Sequence, residues 1–499
     1  METNYQKLER RLKETSRLGG IMGILHWDQE VIMPSGAAES RARQMGVLAG
    51  TIHEKSTDPK LGKLLDALDK ENSFNAFEEC NIREARREYD IETKVPKDLV
   101  MKLAELSSKG HQVWVKARSE NKFSDFAPLL KQLVELKKRW AEYVSPDLPY
   151  YDANIDLYER GGTMAKITPV FETLKSELIP LIRDIQKSDY KPKTSFLSGN
   201  FPVEKQEGLG RRISEEIGFA FDRGRMDISV HPFCGGSHPT DVRITTRYRT
   251  DNFIESLYAV IHETGHGLYE QGRMKVGRDL PASEALSMGI HESQSLFWER
   301  MIAQGPAFCK TYLPLIAETF PENFNAVSSD QLYEAVNVSE PSYIRVEADE
   351  VTYPMHVILR YEIEKGLFDG SVEINTLPEL WNSKMKEYLG VEPPSDTLGV
   401  LQDTHWSGAA FGYFPSYTLG AIYASQFYKT LLQEKPDLGN EIESGNLATI
   451  RQWLNQEIHE KGRLLSVANL VKQVTGDDLN PTIFLDYLKK KYRKIYRLN

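Results

Sequence analysis

Long stretches of this chain carry apolar residues three and four positions apart, with Lys and Glu between them. Residues 98–106, 126–143 and 170–186 all read this way. That spacing gathers the apolar side chains on one face of a helix. Repeated along the sequence, it predicts one amphipathic helix after another, without the fixed period of a solenoid. Strand-like sequence is scarce. The best case is 225–232 followed by 241–248, with 234–239 between them, which predicts a hairpin with an irregular loop. The expected fold class is mostly α, a large helical fold with one small β-sheet or hairpin.

The clearest interruption is 188–208, where Pro, Ser, Lys and Gly break the helices. It reads as a linker or, equally, as a surface loop within one domain. We expect a single domain over 1–499. It divides into a helical lobe over about 1–200, a chemistry-bearing part over about 205–430 and C-terminal helices over about 431–499.

Composition narrows the function. The formal charge of −10 argues against nucleic acid as a partner, since phosphate contacts need a basic surface. Cys80, Cys234 and Cys309 are odd in number, far apart and form no CxxC pair. A disulfide framework is not expected, and a reducing compartment fits. Residues 1–17 alternate charge with isolated leucines, which predicts no signal peptide. The longest apolar run, 409–424, is broken by Gly412, Pro415 and Gly420. A cytoplasmic protein with no membrane partner is expected.

One motif carries chemistry. His262-Glu263-Thr264-Gly265-His266 is an HExxH pattern inside an apolar helical run, with Asn252 and Glu255 placed for a capping box and Gly272 for a stop. On a helix, positions i and i+4 share a face, so both imidazoles can reach one ion. Glu263 then stands beside the open coordination position, suited to take a proton from water. Catalytic zinc needs a third protein ligand. Tyr269 and Gly272 exclude the HExxHxxGxxH class, which leaves Glu270, Glu284, Glu292 and Glu299. Glu270, one turn past His266, reads as a supporting or surface residue. Glu292 opens a buried-looking helix and is preferred to Glu284.

Further blocks follow in order. They include Leu25-His26-Trp27-Asp28 with Met33-Pro34, Pro149-Tyr150-Tyr151-Asp152, His231-Pro232-Phe233 and Asp241-Val242-Arg243-Ile244-Thr245. After the HExxH come His291-Glu292-Ser293-Gln294, Ile344-Arg345-Val346-Glu347-Ala348-Asp349-Glu350, and His405-Trp406 with Phe411-Gly412-Tyr413-Phe414-Pro415-Ser416-Tyr417. Over nearly its whole length the chain resembles the Taq carboxypeptidase family of metallocarboxypeptidases. It departs at Arg160, where the family usually has Pro, and in the composition of 234–239.

The resemblance implies that Glu292 is the third ligand of one Zn2+, for which Co2+ or Mn2+ can substitute. It implies release of single residues from peptide C-termini with broad specificity, a deep groove, and a homodimer. In related helical metallopeptidases a His and a Tyr beyond the zinc hold the tetrahedral intermediate, and His405 and Tyr417 occupy similar positions. On its residues alone, Tyr417 reads as a packed aromatic in a Tyr-rich helix.

An exopeptidase must also grip a free terminal carboxylate, which Arg does through its fork. Arg345 is the leading candidate, the alternative being an ion pair with Glu347 or Asp349. Asp349 and Glu350 are candidate supports for the metal histidines. Arg243 either positions substrate or pairs with Asp241, and the pairing is preferred. His231 contacts substrate or is a hydrogen-bonded structural histidine. The hairpin edge could add an extended peptide as a strand. The expected function is a zinc carboxypeptidase acting on peptides with a free C-terminus. The alternatives are an oligopeptidase cutting internally and a non-catalytic helical scaffold.

Overall fold

The computed structural model describes residues 2–498, and the three periodic stretches lie within longer helices, Lys97–Ser119, Phe123–Val144 and Met164–Lys187. In Phe123–Val144 the buried side chains include Phe126, Leu130, Leu133, Val134 and Trp140. Their spacing puts them on one stripe, whose burial drives the packing. Among the described residues, no helix is long and apolar enough to cross a membrane.

A large core runs from Leu106 to Tyr496. Leu178 and Ile182 enter it from Met164–Lys187, Ile261 from the motif helix, and Tyr492 from Pro481–Tyr496. The three sequence parts therefore contribute to a common interior. Ser188 Oγ donates to the Tyr496 carbonyl at 2.8 Å, and Phe196 and Phe201 are buried. Residues 188–208 thus run over this core rather than bridging two bodies. A smaller cluster joins Leu8, Leu61, Leu65 and Ile82 near the N-terminus.

The β region corrects the expected hairpin. Strand β1 (Gly224–Ile228) pairs in parallel with β3 (Asp241–Thr246), while β2 (Cys234–His238) pairs antiparallel with β3. The order is β1-β3-β2. The segment expected to be a loop is a strand. Its Gly235-Gly236-Ser237 has little β-propensity, so only pairing with β3 reveals it. The first helix, Asn4–Val31, packs against β2. It is also gripped from the sheet. The Arg225 and Arg243 guanidinium groups stand 4.7 and 4.6 Å from the ring centre of buried Trp27, within cation–π range.

Candidate metal centre and active site

Two helices build the centre, Phe253–Gly272 with the HExxH motif and Met288–Leu296 with Glu292. They meet at Gly265, where a Cβ would stand 2.6 Å from the Gln294 carbonyl oxygen. Only glycine lets the two backbones come this close. From the other side Pro415–Glu434 closes in through Gly420, whose Cβ would lie 2.7 Å from that of Glu292. Ser287 caps the Glu292 helix by accepting from Ile290 N at 3.1 Å. Buried Glu159 accepts from Gly289 N at 3.1 Å and from Tyr423 at 2.8 Å, fixing that helix start. The capping box expected on the motif helix does not form. Asn252 makes no side-chain cap bond, and Glu255 instead faces Arg249 at 3.5 Å.

The Nε2 atoms of His262 and His266 lie 3.7 and 3.4 Å from Glu292 Oε2. A tetrahedral ion with bonds of about 2.0–2.1 Å spaces its ligands by about 3.3–3.4 Å. The three side chains, mutually within 4.8 Å, are therefore spaced to hold one metal ion. Two imidazoles and a carboxylate suit a borderline divalent cation.

The other carboxylates proposed from the sequence are engaged elsewhere. Glu284 pairs with Arg463 at 2.9 Å. Glu299 meets His262 Nδ1 at 2.7 Å. Glu270 meets His291 Nε2 at 3.1 Å and Arg273 at 2.8 Å, and His291 Nδ1 in turn lies 2.6 Å from His266 Nδ1. Asp349 and Glu350, expected as candidate supports, do not reach the histidines. Asp349 accepts from Thr352 at 2.7 Å, and Glu350 is buried with Lys491 at 2.5 Å. Glu299 and His291 fill the places that the sequence reading had offered to them. Glu299 follows Glu292 by seven residues, about two turns, and that spacing was the available signal. Its helix then widens into a π-turn over Phe297–Ala303, a form common at functional sites.

The charges are strongly shaped by burial. Glu263 is 6% exposed, and its Oε2 has no hydrogen-bond partner among the described residues. Burial raises its pKa to about 7. Burial also opposes the charge on Glu292, but His262 and His266 outweigh it and hold this carboxylate near 2.

Beyond the metal ligands stands a second group. His405 Nε2 and the Tyr417 hydroxyl share a hydrogen bond of 3.2 Å. Burial, with Arg345 and Arg360 nearby, lowers His405 to about 4 despite Asp403, so its imidazole is neutral at pH 7. Arg345 is 5% exposed and does not pair with Glu347 or Asp349. Its Nε and Nη2 contact Asp403 at 3.0 and 2.9 Å, and Nη1 donates to Tyr353 at 2.7 Å. Its guanidinium also lies 4.8 Å from the Tyr417 ring centre. Arg360, fully buried, holds the other Asp403 oxygen at 2.6 Å. Buried Glu364 accepts from Trp406 at 2.8 Å and from Gly412 N at 2.9 Å, pinning the segment between His405 and Tyr417. Arg243 makes its fork with Asp241 at 2.8 and 3.0 Å. His231 is exposed, and its carbonyl accepts from Ser229 at 2.6 Å.

The family model described as "Carboxypeptidase Taq (M32) metallopeptidase" matches residues 7–492. The chain belongs to this family. It is 39% identical to "Carboxypeptidase 1" of Bacillus subtilis over 98% of this chain and 97% of that protein. Against "Thermostable carboxypeptidase 1" of Thermus thermophilus the identity is 38%, covering 99% of each. Among solved structures, the M32 carboxypeptidase of Deinococcus radiodurans superposes with a TM-score of 0.97 at 34% identity, covering 99% of each chain. This M32 protein is therefore a metallocarboxypeptidase, a hydrolase of peptide bonds that depends on a divalent metal. Its mostly helical fold with a small sheet is that of its relatives.

Proposed function

We propose that this M32 enzyme uses zinc at His262, His266 and Glu292, and Glu263 as general base, to release single residues from peptides with a free C-terminus. The observation that carries the reading is the meeting of three donor atoms at tetrahedral spacing beside an unpartnered, buried carboxylate. A divalent ion held there supplies Lewis-acid polarisation of the scissile carbonyl and acidifies water. Co2+ or Mn2+ fits the same donors.

The chain's own residues supply the rest. Glu263, with a pKa raised to about 7 in the metal-free site, takes a proton from the attacking water and hands it to the leaving amine. The Tyr417 hydroxyl and the neutral His405 imidazole donate hydrogen bonds to the oxyanion that develops at the carbonyl carbon.

Two buried arginines, Arg345 and Arg360, share the single carboxylate of Asp403. Arg345 thus stands 4.8 Å from the Tyr417 ring centre with only a shared carboxylate in contact to balance it, and burying an incompletely matched charge is unfavourable. A substrate's terminal carboxylate neutralises it, so the C-terminal residue is drawn to this end of the site. Arg345 keeps its place in recognition, but as a cation already oriented by Asp403. Arg243 and His231 are assigned to holding the sheet and first helix rather than to substrate. Broad acceptance of C-terminal residues is proposed from family membership.

The test follows single-residue release from a short peptide by mass spectrometry, with free and amidated C-termini, with and without chelator. Chelator-sensitive release from the free peptide only is expected. Replacing Glu263 by Gln is expected to reduce kcat by about a thousandfold or more while the protein still binds metal. Internal fragments from both peptides would overturn the exopeptidase reading. Full activity in Glu263→Gln would remove the base.

A further inference from the structure

Beside the metal-bearing helices lies a cavity of ≈ 590 Å³, walled by the first helix, β2 and the turn that follows the motif helix. Its wall includes His291, one hydrogen bond removed from the metal histidine His266, and Glu270, which His291 meets in turn. Tyr158 on its rim packs edge-on against Tyr413 at 4.9 Å, and Tyr413 against Tyr417 at 5.2 Å. An aromatic ridge therefore joins this cavity to the group at His405. On the carboxypeptidase reading, a substrate held by its terminus near Arg345 extends its amino-side residues away from that end of the site.

The charges in this wall do not balance. Arg87 pairs with Asp156 at 2.7 Å, and Arg160 donates to Glu84. Arg273 pairs with Glu270 at 2.8 Å and Arg463 with Glu284 at 2.9 Å. These four pairs use every carboxylate that lines the cavity. The fifth arginine, Arg278, makes no ion pair with a carboxylate among the described residues, so the wall carries one guanidinium in excess. The adjacent Asp279 does not compensate, because it faces Arg17 at 3.2 Å and His238 at 3.5 Å. An unbalanced guanidinium on a cavity wall favours an anion beside it, and a carboxylate is the group that fits its fork.

We propose that this cavity is an anionic subsite, in which Arg278 receives the side-chain carboxylate of a Glu or Asp on the amino side of the scissile bond. The proposal rests on the direction of substrate given by the carboxypeptidase reading.

The experiment measures binding to metal-loaded Glu263→Gln protein, which needs no turnover. Peptides with a free C-terminus carry either Glu or Gln at one of the three positions before the C-terminal residue. At one position Glu is expected to bind about tenfold tighter than Gln, the size of one charge-assisted hydrogen bond. Adding Arg278→Gln should bring that ratio within about twofold, and Arg278→Lys should retain part of it. Equal binding of Glu and Gln peptides at all three positions overturns the subsite, as does a ratio that survives in Arg278→Gln. Failure of the wild-type enzyme to release residues from these peptides counts against the carboxypeptidase reading alone, because the binding ratio is read separately.

Discussion

His262 and His266 stand one turn apart on one helix and face one ion, yet their far nitrogens meet different supports. His262 Nδ1 meets a carboxylate directly, Glu299 at 2.7 Å. His266 Nδ1 meets another imidazole, His291, which reaches Glu270 and, through it, Arg273. The consequence is electrostatic. Burial opposes a charge on His262, but Glu292 and Glu299 outweigh it and raise its pKa to about 9. Burial of His266 is not overcome, and its pKa falls to about 4. Both arrangements can fix a tautomer with Nε2 free for metal. One does so with a carboxylate next to the ring, the other through an imidazole whose own carboxylate lies one step further away. The same helix face thus carries a strongly polarised ligand and a weakly polarised one.

Glu299→Ala should break the comparison most severely. It removes the only partner of His262 Nδ1 among the described residues and the charge that makes that ring a strong donor. Metal affinity, read by competition with a chromophoric chelator, is expected to fall by about a hundredfold. A change under about threefold would mean that the carboxylate does not support His262.

The proton on His262 gives the next effect. In the metal-free protein its folded pKa lies above the ordinary imidazole value of 6.5, at about 9. The stability it contributes is therefore full below about 6.5 and lost as pH rises through about 9. Metal must displace this proton, so apparent affinity should rise about tenfold from pH 7 to 8 and flatten above about 9. In Glu299→Ala the plateau should begin at lower pH. A flat profile in the wild-type protein would place the proton elsewhere. His291→Phe should then cost about tenfold in affinity at pH 7, the lower end of the range for lost supports. It should leave the pH profile of His262 in place, which is what separates the two supports.

How much of this was legible in the sequence depends on the range of each interaction. Helix periodicity and HExxH are local, and both were readable from residues a turn or two apart. Glu292 was only one of four carboxylates until the ordered blocks singled it out, because a return helix has no fixed loop length. The supports were harder still. His291 was seen only as part of a block, and Glu299, seven residues past Glu292, was read only as a candidate ligand and not as a support. The partners of Arg345 lie far along the chain, and the local acids Glu347 and Asp349 were the wrong choice because Asp403 comes from a different segment. The strand β2 failed for a similar reason, since a Gly-Gly-Ser run becomes a strand only by pairing with β3.

The smallest effect tests the order of the relay. Arg273 touches neither metal ligand. It holds Glu270 at 2.8 Å, and Glu270, whose own burial is outweighed by His291 and Arg273, stays ionised with a pKa near 2. Arg273 also donates to the Ser283 carbonyl at 2.8 Å, so its loss disturbs the following turn as well. For Arg273→Gln we expect about a two- to threefold loss in metal affinity, in keeping with a charge that acts through two intervening groups. A purely structural role would lower thermal stability and leave affinity untouched. Measuring both on the same variant separates the two roles. A loss equal to that of His291→Phe would mean that Glu270 and Arg273, rather than the imidazole between them and His266, set the strength of the relay. The contrast between the two metal histidines would then be one of distance to the supporting carboxylate alone.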